Sequence, residues 1–270
     1  MKYPFVLLLI SFAFSLTGQT TLEELVEEGI AHHDAGNYDQ AIASYQKALA
    51  LDENSALANY EIAMTYMYAK QYQNALKHAD KVIKQGDQYA VQAYVTKGNC
   101  LDAIGESKKA VKTYNKAINK YGGNYMLYYN LGLTQYNAGD LDKAEQALIQ
   151  AINDNPGHAT SHFVLGHLMH DRRDKVRSLL ALHYFLLLEP GTGRSPGAYE
   201  LLLKQFGGNV KQTGENEQTI FLDMATLGGN SEFSSAELML SMLAASNTLE
   251  ENKDKTAEEL FIKNTEGRLK

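Results

Sequence analysis

The residues best suited to chemistry are histidines. Eight occur in 270 residues, and His162, His167 and His170 gather with Asp171 and Asp174 in one stretch. His167 and His170 stand three apart, so a helix would place both on one face and offer a metal ion two ligands. A zinc centre needs at least three protein ligands, and His162 falls about 140° from His167 around a helix. Solvent-facing or groove-lining histidines are the simpler reading. His32 and His33 are adjacent and cannot share a face. Cys100 is the only cysteine, which excludes an intramolecular disulfide; with no His/Asn frame it reads as a small packed side chain. Gly193-Arg194-Ser195-Pro196-Gly197 has the G-x-S-x-G spacing but follows a helical run and not a strand, so it is no nucleophile elbow, and the chain has no P-loop and no G-x-G-x-x-G after a strand. Gly191-Thr192-Gly193 lacks the rest of a phosphate loop. These absences predict a non-enzymatic protein without metal or cofactor, residues 198–270 being the one region left for an activity.

The elements that position these residues repeat. Small residues fall at Gly29, Ala63, Gly98, Gly132 and Gly166, spaced 34, 35, 34 and 34 apart. Two further series, Ala41, Ala75, Ala110, Ala144, Ser178 and Ala48, Val82, Ala117, Ala151, Phe185, keep the same spacings. A period near 34 marks stacked helical hairpins. In the fourth unit Tyr128, Leu131, Gly132 and Gln135 recur at helical spacing, Ala138-Gly139-Asp140 interrupts, and Leu141, Ala144, Leu148 and Ala151 resume. The turn residue is Gly36, Gly105 and Gly139 in three units and Lys70 and Arg173 in two, a position suited to the left-handed conformation. Glycine inside a helix costs roughly 1 kcal/mol against alanine. Its use in four of five units therefore predicts a close helix crossing, with the Ala41 series filling the slot from the second helix.

These residues resemble the tetratricopeptide repeat (TPR) family. The match rests on Tyr128, Leu131, Gly132, Ala144, Leu148, Ala151 and Pro156 in the fourth unit, and on Gly29, Gly36, Tyr38, Ala41, Tyr45 and Ala48 in the first. It departs in having no Trp and in placing Glu53, Asp87 and Gly122 where a closing proline would stand. The resemblance implies an all-α fold: a right-handed superhelical TPR solenoid of about five hairpins (22–55, 56–90, 91–124, 125–158 and 159–192), with a helical C-terminal region over 193–270. It implies protein or peptide binding, and first-helix positions lining a concave groove. Here those are Leu57, Tyr60, Met64, Met67 and Tyr68; Asn99, with Gln92 and Asp102; Met126, Tyr129, Leu133, Tyr136 and Asn137; and Phe163, His167 and His170. Tyrosine offers contact area with a polar tip and methionine an adaptable thioether. Family members that grip acidic C-termini use lysines and an arginine beside two asparagines. Asn99 and Asn130 match the asparagines, but Val95, Met126, Thr160 and Val164 stand where the cations would be. That mode is not expected.

The flanks complete the reading. Residues 1–18 have a positive start, Lys2, an apolar run from Phe5 to Leu16, and Thr17-Gly18 before Gln19, the pattern of a cleaved secretory signal. The run is short for a membrane span of about 20 residues, so export to a bacterial periplasm or cell envelope is expected, with no transmembrane segment afterwards. Net charge is -7 with both signs interspersed, which argues against nucleic acid. Leu179–Leu188 is apolar nearly all round, unlike the polar outer face of a terminal repeat. A following helix, Ala198–Phe206, is expected to cover it, and a homo-oligomer using that end is the alternative. Asn209–Asn216 is polar, and Thr219–Leu227 fits helix or strand. Ser234/Glu237 and Thr256/Glu259 each have capping-box spacing. The expected role is a protein–protein scaffold or adaptor.

Overall fold

The computed structural model describes residues 20–86, 88–207, 210–212 and 218–220, with isolated positions between 236 and 259. Among them are eleven helices: α1 (Leu22–Asp34), α2 (Tyr38–Leu51), α3 (Ala56–Tyr68), α4 (Tyr72–Gln85), α5 (Ala90–Ala103), α6 (Ser107–Tyr121), α7 (Tyr125–Asn137), α8 (Leu141–Asp154), α9 (Ala159–Asp171), α10 (Lys175–Leu188) and α11 (Ser195–Gly207). The chain divides into two compact units, residues 1–100 and 101–270, with the boundary inside α5. In the first unit α1 packs on α2, α2 on α3 and α3 on α4; in the second, each helix from α6 to α11 packs on the next.

Local chemistry sets the helix ends. Thr21 and Glu24 form a reciprocal capping box, Glu24 N–H donating to Thr21 Oγ1 at 3.1 Å and Thr21 N–H to Glu24 Oε2 at 2.8 Å. Ser55, Asn124 and Asp174 accept from the amides of Ala58, Leu127 and Arg177. The turn between the helices of each hairpin is left-handed in all five cases: Gly36, Gly105 and Gly139, and also Lys70 (φ 59°) and Arg173 (φ 61°). The 34-residue geometry overrides the residue preference at the last two positions.

The helix crossing differs in detail from the sequence expectation. A Cβ on Gly29 would lie 2.4 Å from the Tyr45 ring, one on Gly166 2.7 Å from Leu182, and one on Gly132 2.9 Å from Leu148. The slot is thus filled by the residue sixteen positions on, one helical turn beyond the Ala41 series. In the second repeat, where alanine replaces glycine at Ala63, the matching residue is Ala79, and both are fully buried in one cluster. In the fourth and fifth repeats the Ala41-series residue meets the first helix at its backbone instead. The Ala144 carbonyl would stand 3.2 Å from a Gly132 Cβ, and Ser178 Oγ donates to the Gly166 carbonyl at 2.7 Å.

After the fifth hairpin, α11 buries Ala198 and Leu202 against Leu179, Leu182 and Phe185, and Gln205 Nε2 donates to Ser178 Oγ at 2.9 Å. It follows α10 where a sixth first helix would stand, but starts and ends 36 residues after α9, two more than the repeat period. Among the described residues no second helix completes that hairpin. Instead β1 (Val210–Gln212) pairs antiparallel with β2 (Gln218–Ile220), Val210 opposite Ile220. The C-terminal region is therefore not wholly helical: β-branched Val210, Thr219 and Ile220 favour a pleated pair. The expected helix from Ser234 lies outside the described residues. The Thr256/Glu259 capping box is present, Glu259 accepting from Thr256 N–H at 2.7 Å and Thr256 accepting in return at 3.2 Å.

Charge is less evenly spread than the whole-chain balance implies. Lys108, Lys109, Lys112, Lys116 and Lys120 are all exposed on α6, which carries no acidic residue, and three of them line an open depression with Asn115 and Asn119.

Candidate partner-binding faces

In the second unit the first-helix face centres on Tyr129, Leu133, Tyr136 and Phe163. All are half-buried, packed on Ala144, Leu148, Val164, Leu168 and Met169. Met126, His167 and His170 are also half-buried. The His158 ring lies 5.0 Å from both Tyr125 and Tyr129, edge-on to the latter, while its Nδ1 bonds Ser161 Oγ at 2.7 Å. Burial raises the Tyr129 phenol pKa, against the opposing charge of Arg194. Tyr136 donates to the Asp171 carboxylate, and burial together with that carboxylate pushes its phenol up to about 12.

Phe163 is largely committed to the protein itself. Its ring sits 4.5 Å from His167 and 4.9 Å from Phe185, with the Arg194 guanidinium carbon 5.3 Å from its centroid. Arg194 enters from the turn before α11, grips both Glu189 carboxylate oxygens at 2.6 and 2.7 Å, and reaches Thr160 Oγ1 at 3.2 Å. A cation thus arrives where the sequence shows only Thr160, but it is neutralised on arrival. Asn130 donates to the Met126 carbonyl of its own helix at 2.7 Å.

In the first unit, Tyr60 stacks on Tyr89 with centroids 5.6 Å apart and donates to Met64 Sδ at 3.6 Å. Leu57 and Met67 pack against the core of α1–α4. Tyr68 is 53% exposed, edge-on to His33 and stacked over Tyr38. Asn99 is half-buried on α5. Sequence reasoning missed Tyr125, Tyr89, His158 and Arg194. His158 could have been found as the residue in the Asn124 register, before a first helix; nothing in the sequence marks Arg194.

Burial disfavours the charged form of three histidines here. Burial lowers the pKa of His158, His162 and His167, with nearby positive charge adding to the effect at His158. His162 Nε2 bonds the Pro156 carbonyl at 2.9 Å, away from His167 and His170. Among the described residues no three His, Cys, Asp or Glu side chains are grouped to hold a metal. Burial pushes the Cys100 thiol up to about 12, which leaves no thiolate to react at neutral pH. What remains are Tyr, Met and Leu surfaces with polar tips and little free charge, suited to apolar anchors of a polypeptide.

Comparison with known proteins agrees with the fold. A TPR repeat family model matches residues 29–68, and two tetratricopeptide repeat models match 91–119 and 113–146. The TPR repeat-containing protein MJ1428 of Methanocaldococcus jannaschii is 31% identical over 108 residues, 40% of this chain and 19% of that one. Tetratricopeptide repeat protein 8 of Caenorhabditis elegans is 24% identical over 168 residues, 61% of this chain and 31% of that one. The chain thus spans less than a third of the length of these curated relatives. Among solved structures, the thermophilic TPR protein TTC0263 of Thermus thermophilus superposes with a TM-score of 0.60 at 19% identity, covering 68% of this chain and all of that one. The type IV pilus biogenesis factor PilW superposes with a TM-score of 0.57 at 14% identity, covering 80% and 98%.

Proposed function

We propose that this chain, which belongs to the tetratricopeptide repeat family, is a non-enzymatic protein–protein interaction scaffold whose first-helix faces hold a segment of a partner protein. One observation carries the reading. The first-helix side chains at groove register, from Leu57 to Tyr68 and from Met126 to Tyr136, are half-buried or exposed Tyr, Met and Leu, not closed core. In the second unit Arg194, beside Phe163, is occupied by Glu189. Such a surface favours apolar and aromatic anchors of a segment, with polar rims supplying register, over an acidic tail.

The test is site-specific photo-crosslinking, with a benzophenone amino acid placed at Tyr68, Met126 or Tyr136 and, as an outward-facing control, at Gln146. Discrete adducts at the first three positions and none at Gln146 are expected. No adduct at any of the three, or equal labelling at Gln146, would overturn the assignment. The working compartment we propose is the bacterial periplasm or envelope, based on the Lys2, Phe5–Leu16 and Thr17-Gly18 pattern. The exported protein should then begin near Gln19 on N-terminal sequencing; a retained Met1 contradicts it.

A further inference from the structure

Every exposed position of α6 is a lysine or an asparagine, and the helix carries five lysines with no carboxylate. Three other second helices mix signs at their exposed positions: Asp39 with Lys47 in α2, Asp80 among the lysines of α4, and Asp142 with Lys143 in α8. In a chain of net charge -7, the solvent side of α6 is a local reversal. Lys109 pairs with Glu106 at 2.6 Å, and Lys120 lies over the Tyr121 ring, 4.8 Å from its centroid. Among the described residues no carboxylate pairs with Lys112 or Lys116. These two and Lys120 line the open depression with Asn115 and Asn119, so its walls present ammonium groups and amides.

We propose that this side of α6 docks an extended acidic segment of a partner polypeptide, its alternate carboxylates meeting Lys112, Lys116 and Lys120. Charge complementarity selects an anion, and the spacing and side-chain types select this one. Lysines four apart on a helix rise about 6 Å per step, and alternate residues of an extended chain, which share a face, rise about 6.6–6.8 Å. Carboxylates at every second position therefore keep step with the lysine row. The Asn115 and Asn119 amides each donate and accept, as the peptide units between those carboxylates do. A bilayer suits the helix less well: its apolar side, with Ala110, Tyr114 and Ala117, is buried in the repeat, so nothing apolar is left to enter an interface. Nucleic acid lacks its usual partners, because no arginine fork and no aromatic ring stands at an exposed position of α6. Exposed ion pairs are individually weak and screened by salt, so the contact is a salt-sensitive one. It uses a second helix and stands independently of the first-helix faces.

The probe is a fluorescein-labelled peptide, Glu-Ser-Glu-Ser-Glu-Ser-Glu, titrated with the full chain and followed by anisotropy. Binding is expected at low salt and should weaken between about 10 and 150 mM, as the Debye length falls from about 30 to 8 Å. The same peptide with glutamine for glutamate should not bind. Lys112→Glu/Lys116→Glu should bind the acidic peptide at least about tenfold more weakly than Lys77→Glu/Lys81→Glu on α4, which has the same net charge. If the α6 variant loses helicity, carbodiimide coupling of the peptide to the wild-type chain decides: amide adducts concentrated at Lys112 and Lys116 support the proposal, and adducts spread equally over Lys77 and Lys81 overturn it. Equal binding by the two variants overturns it, as does a chain that binds no acidic peptide. Capture of the chain by phosphatidylglycerol vesicles or a thymidine oligonucleotide in place of the peptide, lost with the α6 variant, overturns it in favour of lipid or nucleic acid.

Discussion

Replacing Gly29 with alanine tests whether the close crossing of α1 and α2 is a matched pair. The new Cβ would stand 2.4 Å from Tyr45 Cε1 and 2.6 Å from Cδ1, against an ordinary carbon contact of about 3.5–4.0 Å. Tyr45 is fully buried in the core of the first unit, so its ring cannot swing into solvent. Overpacking of this kind costs typically about 1–3 kcal/mol, and the overlap places Gly29→Ala toward the upper end. Alanine's better helix propensity returns about 1 kcal/mol, leaving a net loss of about 2 kcal/mol. Tyr45→Ala alone should cost about 3–5 kcal/mol as a large-to-small core change. The double variant reproduces the arrangement that the protein itself uses at Ala63 and Ala79, both fully buried. It should therefore lose less than the sum of the two single losses, with a coupling of about 1–3 kcal/mol. The assay is urea unfolding by circular dichroism, with hydrogen exchange in α1 and α2 to localise the effect. Strict additivity, or a Gly29→Ala protein as stable as wild type, would refute the reasoning.

Three further outcomes follow from the geometry. Lys70 is exposed and held at φ 59°, a conformation costing an L-residue about 1–2 kcal/mol. Glycine regains this less its own chain entropy of about 0.4–1 kcal/mol, so Lys70→Gly should stabilise by about 0.5–1 kcal/mol; a lowered urea midpoint contradicts it. Burial, helped by Lys81 and Lys77, lowers the His78 pKa to about 4 while its Nδ1 bonds Asn59 Oδ1 at 2.9 Å. Between pH 4 and 6.5 the unfolded chain then binds a proton that the native one refuses. Stability is whole above about pH 6.5 and falls as pH drops toward 4, by about 1–2 kcal/mol once the ring's partial exposure is allowed for. His78→Gln should flatten that part of the stability–pH curve, and an unchanged slope would exclude His78 as its source. Gln205→Ala removes the donor to Ser178 at 2.9 Å, at a cost of about 1 kcal/mol. It should speed hydrogen exchange in α11 while α7 and α8 stay protected; equal speeding in all three would mean α11 is not anchored there.

The sequence alone determined the hairpins and their turns, because both are set by local chemistry that recurs with the period. Glycine at 36, 105 and 139 marks the left-handed position, and the period extends it to Lys70 and Arg173, whose side chains give no such signal. The small-residue series likewise identified the close crossing. Which side chain enters each slot was decided by tertiary structure. A helix face is about one turn wide in sequence terms, and only the crossing angle distinguishes Ala41 from Tyr45 as the neighbour of Gly29. The same limit holds at the candidate faces. Helical spacing placed Tyr60, Tyr129 and Tyr136 in one register, but not the carboxylate of Asp171 on the Tyr136 phenol. Arg194, more than thirty residues along the chain from Phe163 and Thr160, meets them only because α11 folds back onto α10. α11 starts and ends 36 residues after α9, and beyond it the described residues form a strand pair in place of a second helix. Periodicity specifies a repeating contact between neighbours along the chain. Where the repeat stops, non-local packing chooses the partner.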